Sequence, residues 1–324
     1  MAAGTLASQV FSKDIQTGLW PANDFLSFCK NDTEFVNNDK VNLPHAGLAP
    51  TVEENRSTSI NPASISKRTD AVTQYDLAEL SSTPTWLQYS EELIVNYNKR
   101  ESILAEHRDA LKKAMAEKIL YKWARGGDTE STSDWTNKPT KVLTLGTARD
   151  VSLPQVGSVA ASGTRKAVLF SDILKVIIAL NNADVPADGR VAVIPASFFG
   201  DILNISEFKS SDYVNVKPLP GAPLTFSWLG MSWFVRSFVT RWDKTTSPYG
   251  LDDPKDDTVA TDCAGGLFYH KDFVRAAKGD VKAFLNLDMA NMWGSQMSAL
   301  VRYGAIGARK NSAGIVNLIE TWVS

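Results

Sequence analysis

Asp172-Ile173-Leu174-Lys175-Val176-Ile177-Ile178-Ala179-Leu180-Asn181-Asn182-Ala183-Asp184-Val185-Pro186-Ala187-Asp188-Gly189-Arg190-Val191-Ala192-Val193-Ile194-Pro195 is the stretch that decides the fold. Ile173 to Leu180 is an apolar run that suits a helix. Asn181 to Arg190 then supplies Asn, Asp, Pro and Gly, which stop helices and make turns. Val191 to Ile194 is short and apolar, as a buried strand is. Pro195 ends it and suits the first turn of a second helix, Ala196 to Leu203, where a missing N–H costs no helical hydrogen bond.

Downstream, Leu224 to Trp228 alternates, Leu229-Gly230 turns, and Met231 to Val235 runs back, which predicts an aromatic hairpin. Asp243 to Asp262 reads as a long exposed loop, Gly265 to Tyr269 as a strand and His270 to Ala277 as a helix. Leu300 to Ala305 and Ile315 to Ile319 predict closing strands. Upstream, Val142 to Leu145 is strand-like. It lies between a polar loop over Asp128 to Lys141, which holds Trp135, and a small-residue loop over Ser158 to Lys166.

Ser90 to Arg125 is the clearest helix. Ser90 can cap it, and Glu91 and Glu92 suit its positive first turn. Leu93, Tyr97, Leu104, Leu111, Met115, Ile119 and Trp123 keep one face by steps of four or seven. Lys122 and Arg125 suit the last turn, and Gly126-Gly127 ends it. Such a helix would be ~50 Å long, against a globular mean of ~11–12 residues. A single apolar stripe on so long a helix marks a strut, and its polar positions do not hold the strict heptad of a coiled coil.

The first 50 residues cannot close a core of their own. Polar turns interrupt Trp20, Phe25 and Phe28, which must rest on another surface, of the same subunit or of a neighbour. Val52 to Pro84 is polar and carries Arg56, Lys67 and Arg68, with short alternation around Tyr75, Leu77 and Glu79. It reads as a long β-hairpin with little apolar content, and a two-stranded hairpin is marginal alone, which predicts packing on another subunit. Trp20, Phe25, Phe28, Arg56, Lys67, Arg68, Tyr75 and Leu77 are therefore the candidate subunit-contact residues.

At 324 residues the chain is long enough for a real core and two subdomains. Its 34 basic and 36 acidic side chains nearly cancel, which argues against a dedicated nucleic-acid binder. Cys29 and Cys263 are far apart and read as buried or half-buried thiols in a reducing compartment. The first residues lack the basic and apolar regions of a secretion signal, and no apolar run approaches membrane-spanning length. The expectation is a soluble protein made in a cytoplasm, in which the sequons at Asn31, Asn55 and Asn204 are coincidental.

Motifs for chemistry are missing. Phosphate-binding, dinucleotide and nucleophile-elbow signatures are absent. His45, His107 and His270 lack ligand spacing. His107 is expected on a solvated helix face, His45 on loop surface and His270 at a strand end. Ser-x-x-Lys occurs at Ser27/Lys30 and Ser64/Lys67 without its Lys-Thr-Gly companion. Asp252-Asp253-Pro254-Lys255-Asp256-Asp257 lacks the alternation and Gly of a calcium loop and reads as a solvated acidic loop. Most of the nine tryptophans are expected in the core. No catalytic, cofactor-binding or metal residue is assigned.

The order of loose arm, polar hairpin, strut helix and compact α/β part ending in strands resembles the HK97-fold major capsid proteins of tailed double-stranded DNA bacteriophages. Two stretches carry the wording: Leu180 to Pro195, and Arg302-Tyr303-Gly304-Ala305 followed by Ile315 to Ile319. The resemblance implies an α+β fold with an N-terminal arm over 1–50 and an extended E-loop over 51–89. It implies a peripheral domain over 90–166 with a spine helix over 90–126, an axial domain over 167–290, and a return to the peripheral domain over 291–324. It also implies a non-enzymatic coat protein that self-assembles as hexamers and pentamers into an icosahedral shell in the host bacterial cytoplasm. That shell would enclose double-stranded DNA without sequence specificity and without a membrane.

The chain departs from the founding member in lacking an obvious scaffolding region before the arm, so a separate scaffolding protein is expected, and a portal and a decoration protein are further partners to test. Some relatives crosslink Lys to Asn, and Lys67 is the candidate here. An encapsulin-like cargo shell would share the fold, and gene neighbours would separate it from a phage coat. A soluble α/β enzyme would need a pocket of converging polar groups, for which no motif speaks.

Overall fold

The computed structural model describes residues 25–45, 54, 71–88, 99–126, 139–149, 165–209, 225–245, 249–256, 261–289, 293–309 and 312–322. In chain order the strands are β1 (Lys30–Asn31), β2 (Val36–Asn37), β3 (Lys40–His45), β4 (Ala71–Asp76), β5 (Ala78–Ser81), β6 (Thr85–Gln88), β7 (Thr140–Leu143), β8 (Arg190–Pro195), β9 (Thr225–Trp228), β10 (Met231–Arg236), β11 (Thr240–Asp243), β12 (Gly250–Asp252), β13 (Asp262–His270), β14 (Val274–Met289), β15 (Gly294–Gly307) and β16 (Ile315–Ile319). The helices are α1 (Lys99–Arg125), α2 (Phe170–Asn182), α3 (Ala196–Asn204) and the short α4 (Ser206–Lys209).

The deciding stretch folds as its pattern predicts. α2 starts where Asp172 reaches back to accept hydrogen bonds from the Leu169 and Leu145 backbone N–H groups, at 3.2 and 3.1 Å. Arg190 closes the turn after it: its guanidinium donates to Asn181 Oδ1, Val185 O and Pro186 O at 2.6 to 2.9 Å. His270, at the end of β13 as expected, lies 2.7 Å from Asp188 O and pins the same turn. β8 is buried along its whole length. Val191 and Val193 enter one core, Ala192 and Ile194 the other, which is why this strand is a continuous apolar run.

An eight-stranded sheet runs β12-β11-β13-β8-β10-β9, with β16 added to β13 and β7 to β16. α2 and α3 cover one face with Ile173, Val176, Leu180, Phe198 and Ile202. The predicted aromatic hairpin is β9–β10, where Trp233 stacks on Phe226 at 5.5 Å. At the crossing of β11 and β13 only glycine fits: a Cβ on Gly265 would sit 2.3 Å from Trp242 Nε1.

A second sheet is built on the long β14–β15 pair, with β1 on one edge and β5 and β6 on the other. α1 lies on this sheet through Leu111, Met115, Ile119 and Trp123, one residue per turn. Its 27 described residues span about 40 Å. Residues 90–98 of the expected helix lie outside the described residues. Gly126, at φ 85°, ends it in the left-handed conformation that favours glycine. Trp123 fastens α1 down, donating to Arg275 O at 2.9 Å and packing on Phe25 and Tyr269. The core beneath α1 takes side chains from both sheets.

Strand pairing departs from the sequence reading in three places. His270 to Ala277 is a turn and the start of β14, not a helix, because Val274 and Ala276 pair across to Gly307 and Ala305 and bury on one face. The hairpin expected within 51–89 is instead the β3–β4 ladder, Lys40↔Asp76 to His45↔Ala71, so its first strand falls in the stretch assigned to the arm. β14 belongs with α1, whereas β7 and β16 belong to the eight-stranded sheet. All three depend on partners distant in sequence.

Candidate assembly surfaces

The first described residues are clipped to the body. Phe25 is fully buried, edge-to-face with Trp123 at 5.9 Å, and Phe28 packs on Phe234 at 5.2 Å. Asp32, 1% exposed, accepts from Arg275 Nη1 at 2.8 Å and from the Tyr75 hydroxyl at 3.1 Å. Burial, and then the Asp32 charge, push the Cys29 thiol up to about 12 and the Tyr75 hydroxyl far above its usual range. Tyr75 and Leu77 share a small core with Val41, Ala277 and Ile306. Four candidate contact residues, Phe25, Phe28, Tyr75 and Leu77, thus touch this chain's own core. Trp20, Arg56, Lys67 and Arg68 lie outside the described residues.

Beyond Val41 and Tyr75 the β3–β4 ladder turns to solvent: Asn42, Pro44 and Gln74 are exposed, and Val72 is 64% exposed. This is the marginal two-stranded element that the composition predicts.

Under the eight-stranded sheet lies a buried ionic network. Arg149 grips Asp201 through two bonds at 3.0 and 2.6 Å, and also bonds Glu320. Arg165 lies 3.7 Å from Glu320 and donates to the Asp262 carbonyl. Arg241 lies 3.4 Å from Asp262 and 3.8 Å from Asp252. Burial pushes Glu320 upward against the pull of Arg149; burial lowers Arg149, but the hydrogen bonds and charges of Asp201 and Glu320 together raise it further. The network ties residues 149 and 165 to α3, β11, β13 and the end of β16, so it holds this half of the molecule in one shape.

The acidic loop is a strap, not the long exposed loop of the sequence reading. β12 pairs with β11, Arg241 donates to the carbonyls of Asp253 and Asp256, and Lys118 of α1 bonds the Asp253 carboxylate. Residues 250–256 therefore join helix and sheet. Among the described residues no cluster of three or more His, Cys, Asp or Glu is placed to hold a metal ion. His107 departs from expectation too: it is 7% exposed, and burial lowers its pKa.

A strut helix on a long strand pair, an α/β sheet beside it and a protruding ladder make a scaffold with surfaces for association. A family model described as phage capsid protein matches residues 36–310. This chain belongs to the phage capsid protein family. The capsid of cyanophage P-SCSP1u is similar to it at a TM-score of 0.60 and 14% identity, over 94% of this chain and 88% of that one. A structure from Mycobacterium phage Che8 has a TM-score of 0.57 and 16% identity, over 92% of each chain. The capsid of an empty GTA particle follows at 0.56 and 12%, over 93% of this chain and 90% of that one. No curated protein sequence matches the chain. At these identities the likeness is one of fold, the HK97-like α+β capsid fold. As a capsid protein the chain is a structural component of the virion, and it self-assembles into a shell.

Asp32, Arg149, Arg165, Asp201, Arg275 and Glu320 escape a sequence reading. Asp32, Arg149 and Arg165 have polar or charged neighbours in the chain, Asp201, Arg275 and Glu320 have an apolar residue beside them, and nothing local marks any distant partner. The one usable signal is Glu320, a carboxylate directly after the buried run Ile315 to Ile319.

Proposed function

We propose that this capsid protein forms hexamers and pentamers that close into an icosahedral shell around double-stranded phage DNA. The observation that supports this most is the exposed end of the β3–β4 ladder, which leaves a body held by two large buried cores. Such a ladder gains stability by lying on a neighbour, and a head-to-tail contact that closes gives rings. The net charge of −2 suits a wall that encloses DNA without gripping it. A separate scaffolding protein guides closure, with portal and decoration proteins as further partners, in the host cytoplasm. Residues 1–24 serve as the intersubunit arm, and the β3–β4 ladder with the residues between its strands serves as the intersubunit loop. Trp20, Arg56, Lys67 and Arg68 contact neighbours, and Lys67 is the residue to examine for a crosslink.

Negative-stain electron microscopy of the chain expressed alone and with its candidate scaffold tests this reading. Closed shells tens of nanometres across, or six- and five-fold rings, are expected. A monomer or dimer under every assembly condition would remove the reading.

A further inference from the structure

The strap over residues 250–256 has two ends of different chemistry. At the sheet end, β12 pairs with β11 from Asp243↔Gly250 to Arg241↔Asp252, and Arg241 Nη2 donates to the carbonyls of Asp253 and Asp256 at 3.0 and 2.7 Å. Arg241 Nε lies 3.4 Å from the fully buried Asp262 of β13 and 3.8 Å from Asp252, so one guanidinium faces two carboxyl groups. Those two groups also hydrogen-bond each other, which needs a proton on one of them. Asp243 of β11 adds a third carboxylate, in register with Asp262. Burial pushes Asp243 up, yet the hydrogen bonds from Thr245 and Thr261 hold it below its usual range. At the α1 end, Lys118 bonds Asp253. Burial pushes Asp253 up too, but Lys118, and then Lys255, hold it below the usual carboxylate range. Tyr121 of α1 also feels Asp253 and Asp256, and burial keeps its hydroxyl neutral at any moderate pH. The α1 end thus stays ionised and tied while the sheet end can gain or lose a proton.

We propose that this strap is a proton-operated latch between α1 and the eight-stranded sheet: it is closed while Asp252 and Asp262 share a proton, and loss of that proton loosens the sheet end while Lys118 keeps the α1 end. Once both groups are ionised they repel each other across a guanidinium that they must share. Burial first, and then the Asp262 charge, hold Asp252 up to about 6. The closed strap therefore binds the proton more tightly than the loosened one. Closure is strongest below about pH 4 and is lost as pH rises to about 6. Loosening removes one tie between α1 and β11 and leaves the core beneath α1 in place. Mild acid thus stiffens the junction of helix and sheet, and neutral pH frees it.

Hydrogen exchange at the amides of residues 250–256 in the full chain tests the latch. Asp252→Asn serves as the reference at each pH, so that the intrinsic pH dependence of exchange cancels. Asn keeps a donor for Asp262 and has no charge to gain. The parent should exchange at the variant's rate at pH 4 and about tenfold faster at pH 7.5. Lys118→Ala should speed exchange at every pH without moving the midpoint. The Asp252 carboxyl carbon of the parent, followed by NMR, should titrate near 6. Equal rates at every pH, a constant ratio, loss of the pH dependence in Lys118→Ala, or titration of Asp252 near 4 would each overturn the latch. These measurements are made on the subunit, so the latch and the shell reading fail separately.

Discussion

At the scale of single residues, charge under the sheet is where this capsid protein is most sensitive. Asp252 shares Arg241 with Asp262. Burial first, then the Asp262 charge, raise its pKa from 3.8 to about 6. The folded chain therefore binds more protons than the unfolded chain between about pH 4 and 6, and stability falls as pH rises through that window. Asp252→Asn removes the titration. Its melting temperature should exceed that of the parent at pH 7.5, and the two should converge near pH 4. Solvent screening keeps the difference to about 1 kcal/mol. Parallel melting curves at all pH values would show an ordinary carboxylate. Glu320→Gln should act in the opposite direction, because it leaves the buried guanidinium groups of Arg149 and Arg165 without their shared counter-charge. A loss of about 3–5 kcal/mol in urea unfolding is expected, and a loss under about 1 kcal/mol would mean that water reaches the network.

Elements explain what the sequence made legible. α2, β8, α3 and the β9–β10 hairpin are readable because each carries its periodicity and its turn signals within a few residues. α1 is readable for the same reason, since Leu111 to Trp123 bury every fourth residue. His270 to Ala277 misleads because cross-strand partners in β15, not local propensity, decide it. His107 misleads because the chain from Ser81 to Thr85, not its own helix, shields it. The β3–β4 pairing could not be found locally, as 25 residues, 46 to 70, separate the two strands. Trp123→Ala tests the fastening of α1: it empties a fully buried site and should cost about 3–5 kcal/mol. Calorimetry that finds a smaller loss would show that α1 is held mainly by its aliphatic stripe.

Over the whole molecule, one core joins α1 to both sheets, and the parts that leave it are the ones proposed to build the shell. Because Phe25 to Asp32 are bound to the body, the arm to test is residues 1–24 rather than 1–50. Removing 1–24 should leave the subunit's circular dichroism and melting unchanged while shell closure fails. Loss of the fold would instead make those residues part of the body. The most direct test of the central claim is a cryo-electron reconstruction of the particle that this chain forms with its scaffold. We predict hexamers and pentamers in which the β3–β4 ladder of each copy rests on a neighbour. A closed particle in which that ladder touches only its own subunit, or a particle without five- and six-fold rings, would contradict the account.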